Sequence, residues 1–126
     1  MLHSSLHNND GHADKWEAQL RKGCLELAIL ASIAGGRLYG LEILRRLESH
    51  SGLVLAEGTV YPILSRLKSD GLLYSEWVEA EAGHPRKYYW LTPAGQRRAV
   101  VMAKAWAELS DNLNELVRPL LAAKEK

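Results

Sequence analysis

The sequence predicts a mainly α fold with a small β-hairpin, closed by one long C-terminal helix. Apolar residues recur at spacings of three and four in four separate stretches, the mark of helices that bury one face. Two short runs rich in Tyr, Trp and Val flank a Gly-His-Pro turn, the mark of a hairpin. A length of 126 residues supports one core with little surplus. The expected organisation is a mobile tail over 1–13, a domain over 14–92, a helix over 93–121 and a short tail over 122–126.

The tail expectation rests on composition: Asn, His, Ser and Gly dominate residues 1–13, with too few apolar side chains to repay the entropy of ordering. His3, His7 and His12 have no Cys or carboxylate pattern around them and read as polar tail residues, not as a metal site. Asp14 and Glu17 form a D-x-x-E start signal, and Leu20, Cys24, Leu27 and Ala31 then recur at helical spacing up to Gly35-Gly36. Gly23 within that helix costs about 1 kcal/mol relative to Ala, so tertiary packing must hold the stretch together. Cys24 is the single cysteine and reads as a small core residue.

A second helix is predicted over Gly40 to Ser49, with Ile43, Leu44 and Leu47 inward and Arg45, Arg46 and Glu48 outward, ended by Ser51-Gly52. A third runs to Gly71 and is expected to begin near Gly58 or Thr59, because Pro62 is tolerated only in a first turn. In it Val60, Leu64 and Leu67 share one face, leaving Thr59, Pro62, Arg66 and Ser69 opposite. Leu72 to Val78 and Lys87 to Leu91 then form a two-stranded hairpin around Gly83-His84-Pro85. Thr92 caps the last helix and Pro93 takes its first position. Along it Ala99, Met102, Trp106, Leu109, Leu113, Leu116 and Leu120 follow an unbroken pattern of threes and fours, and Pro119 is expected to end or kink it.

Composition excludes several classes. No apolar run approaches the roughly 18 residues needed to span a bilayer, so no membrane association is expected. The N-terminus lacks a basic region followed by an apolar one, so the chain is expected to stay in the cytoplasm. No glycine-rich phosphate loop, HExxH or CxxC spacing, or nucleophile beside a base is found; the reading is not an enzyme, with no cofactor and no metal. The net charge of +1 predicts no anionic partner by itself, but Arg86, Lys87, Arg97 and Arg98 fall in a stretch from His84 to Arg98 without an acidic residue.

Three helices, a hairpin and a final helix follow the order of a winged helix-turn-helix plus a C-terminal helix, in which the third helix enters the major groove of DNA. Such a helix needs an anchored apolar face and an outer face of short hydroxyls and cations, and Thr59, Ser65, Arg66, Lys68 and Ser69 supply them. From about Gly23 to Leu116 the chain resembles the PadR family of bacterial repressors, in its small subfamily with a single C-terminal dimerisation helix. The motifs that carry the resemblance are Leu38-Tyr39-Gly40, Glu57-Gly58-Thr59-Val60-Tyr61-Pro62 running through Leu64, Arg66 and Leu67 to Asp70-Gly71-Leu72, Gly83-His84-Pro85-Arg86-Lys87-Tyr88-Tyr89, and Leu91-Thr92-Pro93-Ala94-Gly95.

The resemblance implies a dimeric, sequence-specific transcriptional repressor. It assigns Thr59, Tyr61, Pro62, Arg66 and Lys68 to contacts from the third helix, Arg86 and Lys87 to the wing, and Tyr39 and Gly40 to a phosphate at the start of helix two, where free N–H groups also favour an anion. His84 and Trp90 depart from the family pattern, so wing contacts are expected to be aimed differently here. Met102, Trp106, Leu109, Leu113 and Leu116 would form the dimer interface, since a monomer would leave this stripe in water. Two third helices about 34 Å apart would then read an inverted-repeat operator in double-stranded DNA. The resemblance also places Trp106 where small aromatic or drug-like effectors lodge in related repressors; a simple interface anchor is the other reading of that ring. A winged-helix module that binds protein, without an effector, stands as the alternative function.

Overall fold

The computed structural model of the chain describes residues 11–50, 57–79 and 83–123, the side chains from Asp14 onward and without that of Glu57. Its elements are α1 (Gly11–Ile33), β1 (Leu38–Tyr39), α2 (Gly40–Glu48), α3 (Glu57–Ser69), β2 (Leu73–Val78), β3 (Arg86–Leu91) and α4 (Pro93–Ala123). The fold is mostly helical, with a three-stranded antiparallel sheet in the order β1-β3-β2. No helix among the described residues is long and apolar enough to cross a membrane.

Helix α1 differs from expectation at both its start and its buried face. It begins at Gly11, so residues 11–13 of the expected tail are helical, with Asp14 in the first turn where its charge opposes the helix dipole. His3, His7 and the rest of that tail lie outside the described residues, as does the Ser51-Gly52 stop. Leu20 and Ala31 are exposed and Cys24 only half-buried, whereas Leu25, Ile29, Leu30 and Ile33 form the inward face. The run from Leu25 to Ile33 is apolar on nearly every side, so spacing alone does not single out one stripe; contact with α2 and α4 selects it. The buried Ser32 hydroxyl donates to the Ile29 carbonyl at 2.8 Å, and Arg46 of α2 donates to the Ser32 carbonyl at 2.8 Å. Two groups that would otherwise be left unpaired at the end of α1 are thereby satisfied.

Helix α2 follows the prediction, with Ile43, Leu44 and Leu47 buried and Arg45, Arg46 and Glu48 exposed. In α3 the predicted stripe is complete: Val60, Leu64 and Leu67 are each 0% exposed. Its described residues begin at Glu57, one before the expected start at Gly58, which puts Pro62 beyond the first turn. The carbonyl that Pro62 leaves unpaired belongs to Gly58, an exposed residue open to solvent. A Schellman turn closes α3, with Gly71 N–H on the Lys68 carbonyl and Leu72 N–H on the Leu67 carbonyl.

The hairpin pairs Leu73 with Leu91 through Val78 with Arg86, and β1 adds a third strand by pairing Leu38 with Tyr89 and Tyr39 with Tyr88. Two residues are too few to show alternation, which hides β1 in the sequence. Thr92 caps α4 as predicted, accepting from Gly95 N–H at 2.9 Å, and its hydroxyl donates to the Gly71 carbonyl at 2.7 Å. Helix α4 does not stop near Pro119; it runs through it to Ala123, in a stretch exposed enough for water to take the freed carbonyl. Among the described residues its first turns touch the core, through Ala94, Ala99 and Met102.

The base of α4 lies hard against the end of α3: a Cβ built on Gly95 would overlap the Leu72 carbonyl oxygen. Gly95→Ala is therefore expected to lower stability by about 2 kcal/mol or more, because backbone must move to make room. Urea unfolding checks this; a loss below about 0.5 kcal/mol would count against so tight a junction.

Candidate nucleic-acid interface

The outer face of α3 collects the residues singled out by sequence. Thr59, Tyr61, Pro62, Ser65, Arg66, Lys68 and Ser69 are all exposed, because the opposite stripe is fully committed to the core. Lys68 has no acidic partner among the described residues. Arg66 is exposed but engaged: its guanidinium reaches Glu26 of α1 at 3.3 Å and Asp70 at 3.6 Å. Glu26 in turn accepts from Arg98 of α4 at 3.1 Å.

Tyr61 differs from the others in orientation. Its ring lies over Gly40, so closely that a Cβ there would overlap the ring and its hydroxyl. A glycine at the first position of α2 is thus what allows α3 to approach. Tyr39 precedes it in extended conformation, with its N–H donated to the Glu42 carboxylate at 3.0 Å. That bond uses one donor at the start of α2; the N–H groups of Gly40 and Leu41 belong to the first helical turn, which finds no partner within the helix.

The wing brings its two cations to the same place. Arg86 lies over the Tyr39 ring at 4.5 Å, while the Lys87 amine lies 5.7 Å from the Trp77 ring and 6.0 Å from Tyr89. Neither is paired with a carboxylate among the described residues, and the aromatic rings orient both. A cleft of about 300 Å³ separates the start of α2 and Tyr61 from the wing, with Arg86, Lys87 and Tyr89 on its far side. Tyr89 is buried, and burial pushes its phenol above the ordinary value, with neighbouring Tyr61 adding to the rise. It remains a neutral hydrogen-bond donor at any physiological pH.

The outer face of the sheet was not foreseen. Arg37 pairs with Glu76 at 2.7 Å and stacks over Trp90 at 4.3 Å; Trp90 leans on Tyr74, and Tyr39 meets Tyr88 edge-on, both pairs at 5.5 Å. Trp90 therefore lies on the back of the sheet and not at the wing tip, whereas His84 is exposed near the turn. Arg37 stands two residues before Tyr39, and that proximity to the Leu38-Tyr39-Gly40 motif is the signal that could have found it. The remaining sequence-selected residues lie away from this surface, on α4, where Trp106, Leu109, Leu113 and Leu116 are 47%, 60%, 48% and 75% exposed. Met102 is partly buried against the core. Among the described residues, no group of three potential metal ligands comes together.

An anchored third helix with a hydroxyl-bearing outer face, a three-stranded sheet with a projecting hairpin and a long last helix define a winged helix-turn-helix regulator. The model of the PadR-like family of transcriptional regulators matches residues 29–100. A transcriptional regulator of Mycobacterium tuberculosis, Rv3488, is 34% identical over 92 residues, covering 73% of this chain and 84% of the relative. A PadR family regulator from Eggerthella lenta superposes with a TM-score of 0.76 at 32% identity, over 88% of this chain and 96% of that one. A PadR-like transcription factor from Bacteroides fragilis does so with a TM-score of 0.66 at 39% identity, over 81% and 98%. The chain belongs to the PadR-like family of transcriptional regulators, which implies regulation through DNA.

The Tyr89 environment gives a measurable expectation. In an ultraviolet titration of tyrosinate formation, one phenol should ionise above the ordinary value near 10, and that component should vanish in Tyr89→Phe and move down in Tyr61→Phe. Because the folded value exceeds the unfolded one, the stability this group contributes is complete below about pH 10 and is lost as pH rises through the folded value. Wild type should therefore lose more stability than Tyr89→Phe in urea unfolding at alkaline pH; equal losses would count against the buried placement.

Proposed function

We infer that this protein is a transcriptional repressor that binds an inverted-repeat operator as a homodimer and is released by a small aromatic effector. The observation that carries the reading is the division of α3 into a stripe with no exposure at all and an opposite face of Thr59, Ser65, Arg66, Lys68 and Ser69 that is exposed along its length. Seated in a major groove, that face brings hydroxyls and cations to base edges and phosphates. Thr59, Pro62, Arg66 and Lys68 are the groove contacts of this reading. Tyr39, Gly40 and Tyr61 serve a phosphate at the start of α2, and Arg86 and Lys87 the next stretch of backbone, with the Tyr89 phenol as a further donor.

Dimerisation accounts for the apolar stripe on α4. Trp106, Leu109, Leu113 and Leu116 stand in water in a single chain, and burying them against a second copy, with Met102 at the edge of the contact, would remove a patch too large for a soluble monomer to leave open. The two Trp106 rings would then approach one another, giving a flat aromatic or cationic effector a surface to stack on. The site of action is the cytoplasm, where the chromosome is.

Two experiments test the reading. Duplex DNA carrying the promoter of the protein's own gene should be retarded in a shift assay, with affinity falling steeply as salt rises. Lys87→Ala should weaken binding by roughly three- to tenfold and lower the salt slope by about one, while sedimentation still reports a dimer. Absence of salt-dependent binding would favour a winged-helix module that recognises protein. For the effector, planar aromatic drugs should quench part of the tryptophan emission, and Trp106→Ala should abolish that quenching with the dimer retained. Quenching that survives in Trp106→Ala would place the ligand elsewhere.

A further inference from the structure

Glu26 is the meeting point of three helices distant in sequence. Its carboxylate, on α1, holds Arg66 of α3 through one oxygen at 3.3 Å and Arg98 of α4 through the other at 3.1 Å. The glutamate side chain is 22% exposed, against 52% for Arg66 and 47% for Arg98, so the acid is the most sheltered member of the trio. Arg66 is the groove-face arginine, and in this structure its charge is taken up by Glu26 and, more loosely, by Asp70.

We propose that Glu26 sets the DNA affinity of this protein by withholding Arg66 from the duplex, with Arg98 deciding how firmly. The inference rests on α3 being the DNA-reading helix. A phosphate or base edge approaching Arg66 must compete with a carboxylate already in place, and a partly sheltered carboxylate is screened less by solvent and salt than an open one. A bare Glu26 would also repel the phosphates. Arg98 counters both effects: it draws on the same carboxylate, which loosens the hold on Arg66, and it keeps the glutamate neutralised once Arg66 has moved to DNA. Glu26 is accordingly a positioning residue acting through Arg66, and Arg98, on the helix that carries the exposed apolar stripe, supports binding without touching DNA. The arrangement ties the groove face of α3 to the base of α4 by one side chain.

The test measures promoter DNA binding across a salt series for six proteins: wild type, Glu26→Gln, Arg98→Ala, Arg66→Ala, and Glu26→Gln combined with each arginine variant in turn. Glu26→Gln keeps the shape and one acceptor but removes the charge; it should bind about threefold tighter and with a steeper salt slope. Arg98→Ala should bind about threefold weaker, and adding Glu26→Gln should erase that loss. In the Arg66→Ala background Glu26→Gln should gain nothing. Thermal unfolding of each variant separates these effects from a damaged fold, which would not change the salt slope or show rescue in the double variant. Glu26→Gln binding no tighter than wild type, or gaining equally without Arg66, overturns the proposal while leaving the DNA-binding reading intact. Wild type that binds no duplex in a salt-dependent way overturns that reading first, and this proposal with it.

Discussion

One hydroxyl holds the working parts of this molecule in relation to each other. Thr92 donates to the carbonyl of Gly71, where α3 ends, and accepts from the amide of Gly95, where α4 begins. Its own amide donates to the carbonyl of Leu72, the residue just before β2, and it directly follows the last residue of β3. The end of the third helix, both strands of the hairpin and the start of the long helix are thereby fixed within a few residues of one another. Because Gly95 leaves no space above the Leu72 carbonyl, the angle between α3 and α4 has little freedom. The sealed stripe of Val60, Leu64 and Leu67 then prevents α3 from rolling about its own axis.

Net charge describes this protein poorly because the cations around the candidate interface stand in different settings. Arg37, Arg66 and Arg98 face carboxylates and contribute little to the outward field. Arg86 and Lys87 lie over aromatic rings, which orient a cation without cancelling it. A chain whose total charge is +1 therefore still keeps two neighbouring cations at its wing that pair with no carboxylate among the described residues. The rings have a second use, since a flexible arginine held over Tyr39 has surrendered part of its rotamer entropy before any ligand arrives.

Much of this was legible in the sequence, for reasons that also explain what was not. Helix α2 and the buried face of α3 were readable because their apolar residues are separated by polar ones, so only one face is a candidate. Helix α1 failed the same test: between Leu25 and Ile33 nearly every residue is apolar, and the choice of face belongs to its neighbours. The cap at Thr92 was readable because Thr-Pro is a local signal, whereas β1 is two residues long and owes its existence to pairing with β3. Neither proline marks a helix boundary. Pro62 and Pro119 sit inside helices, each where the carbonyl it leaves open is near solvent. At the interface, the exposed face of α3 followed from its period, but no spacing rule connects Glu26 with residues 40 and 72 positions away. Contacts of that range exist only once the helices have packed.

The length of α4 has a mechanical side. Its 31 residues extend about 46 Å, yet only the first turns are seated on the rest of the domain. The remainder is a lever arm. A tilt of about 5° at its root carries the far tip through roughly 4 Å, the width of a methylene pair, and the same ratio works in reverse. Anything that grips the tip therefore steers the domain through a long arm.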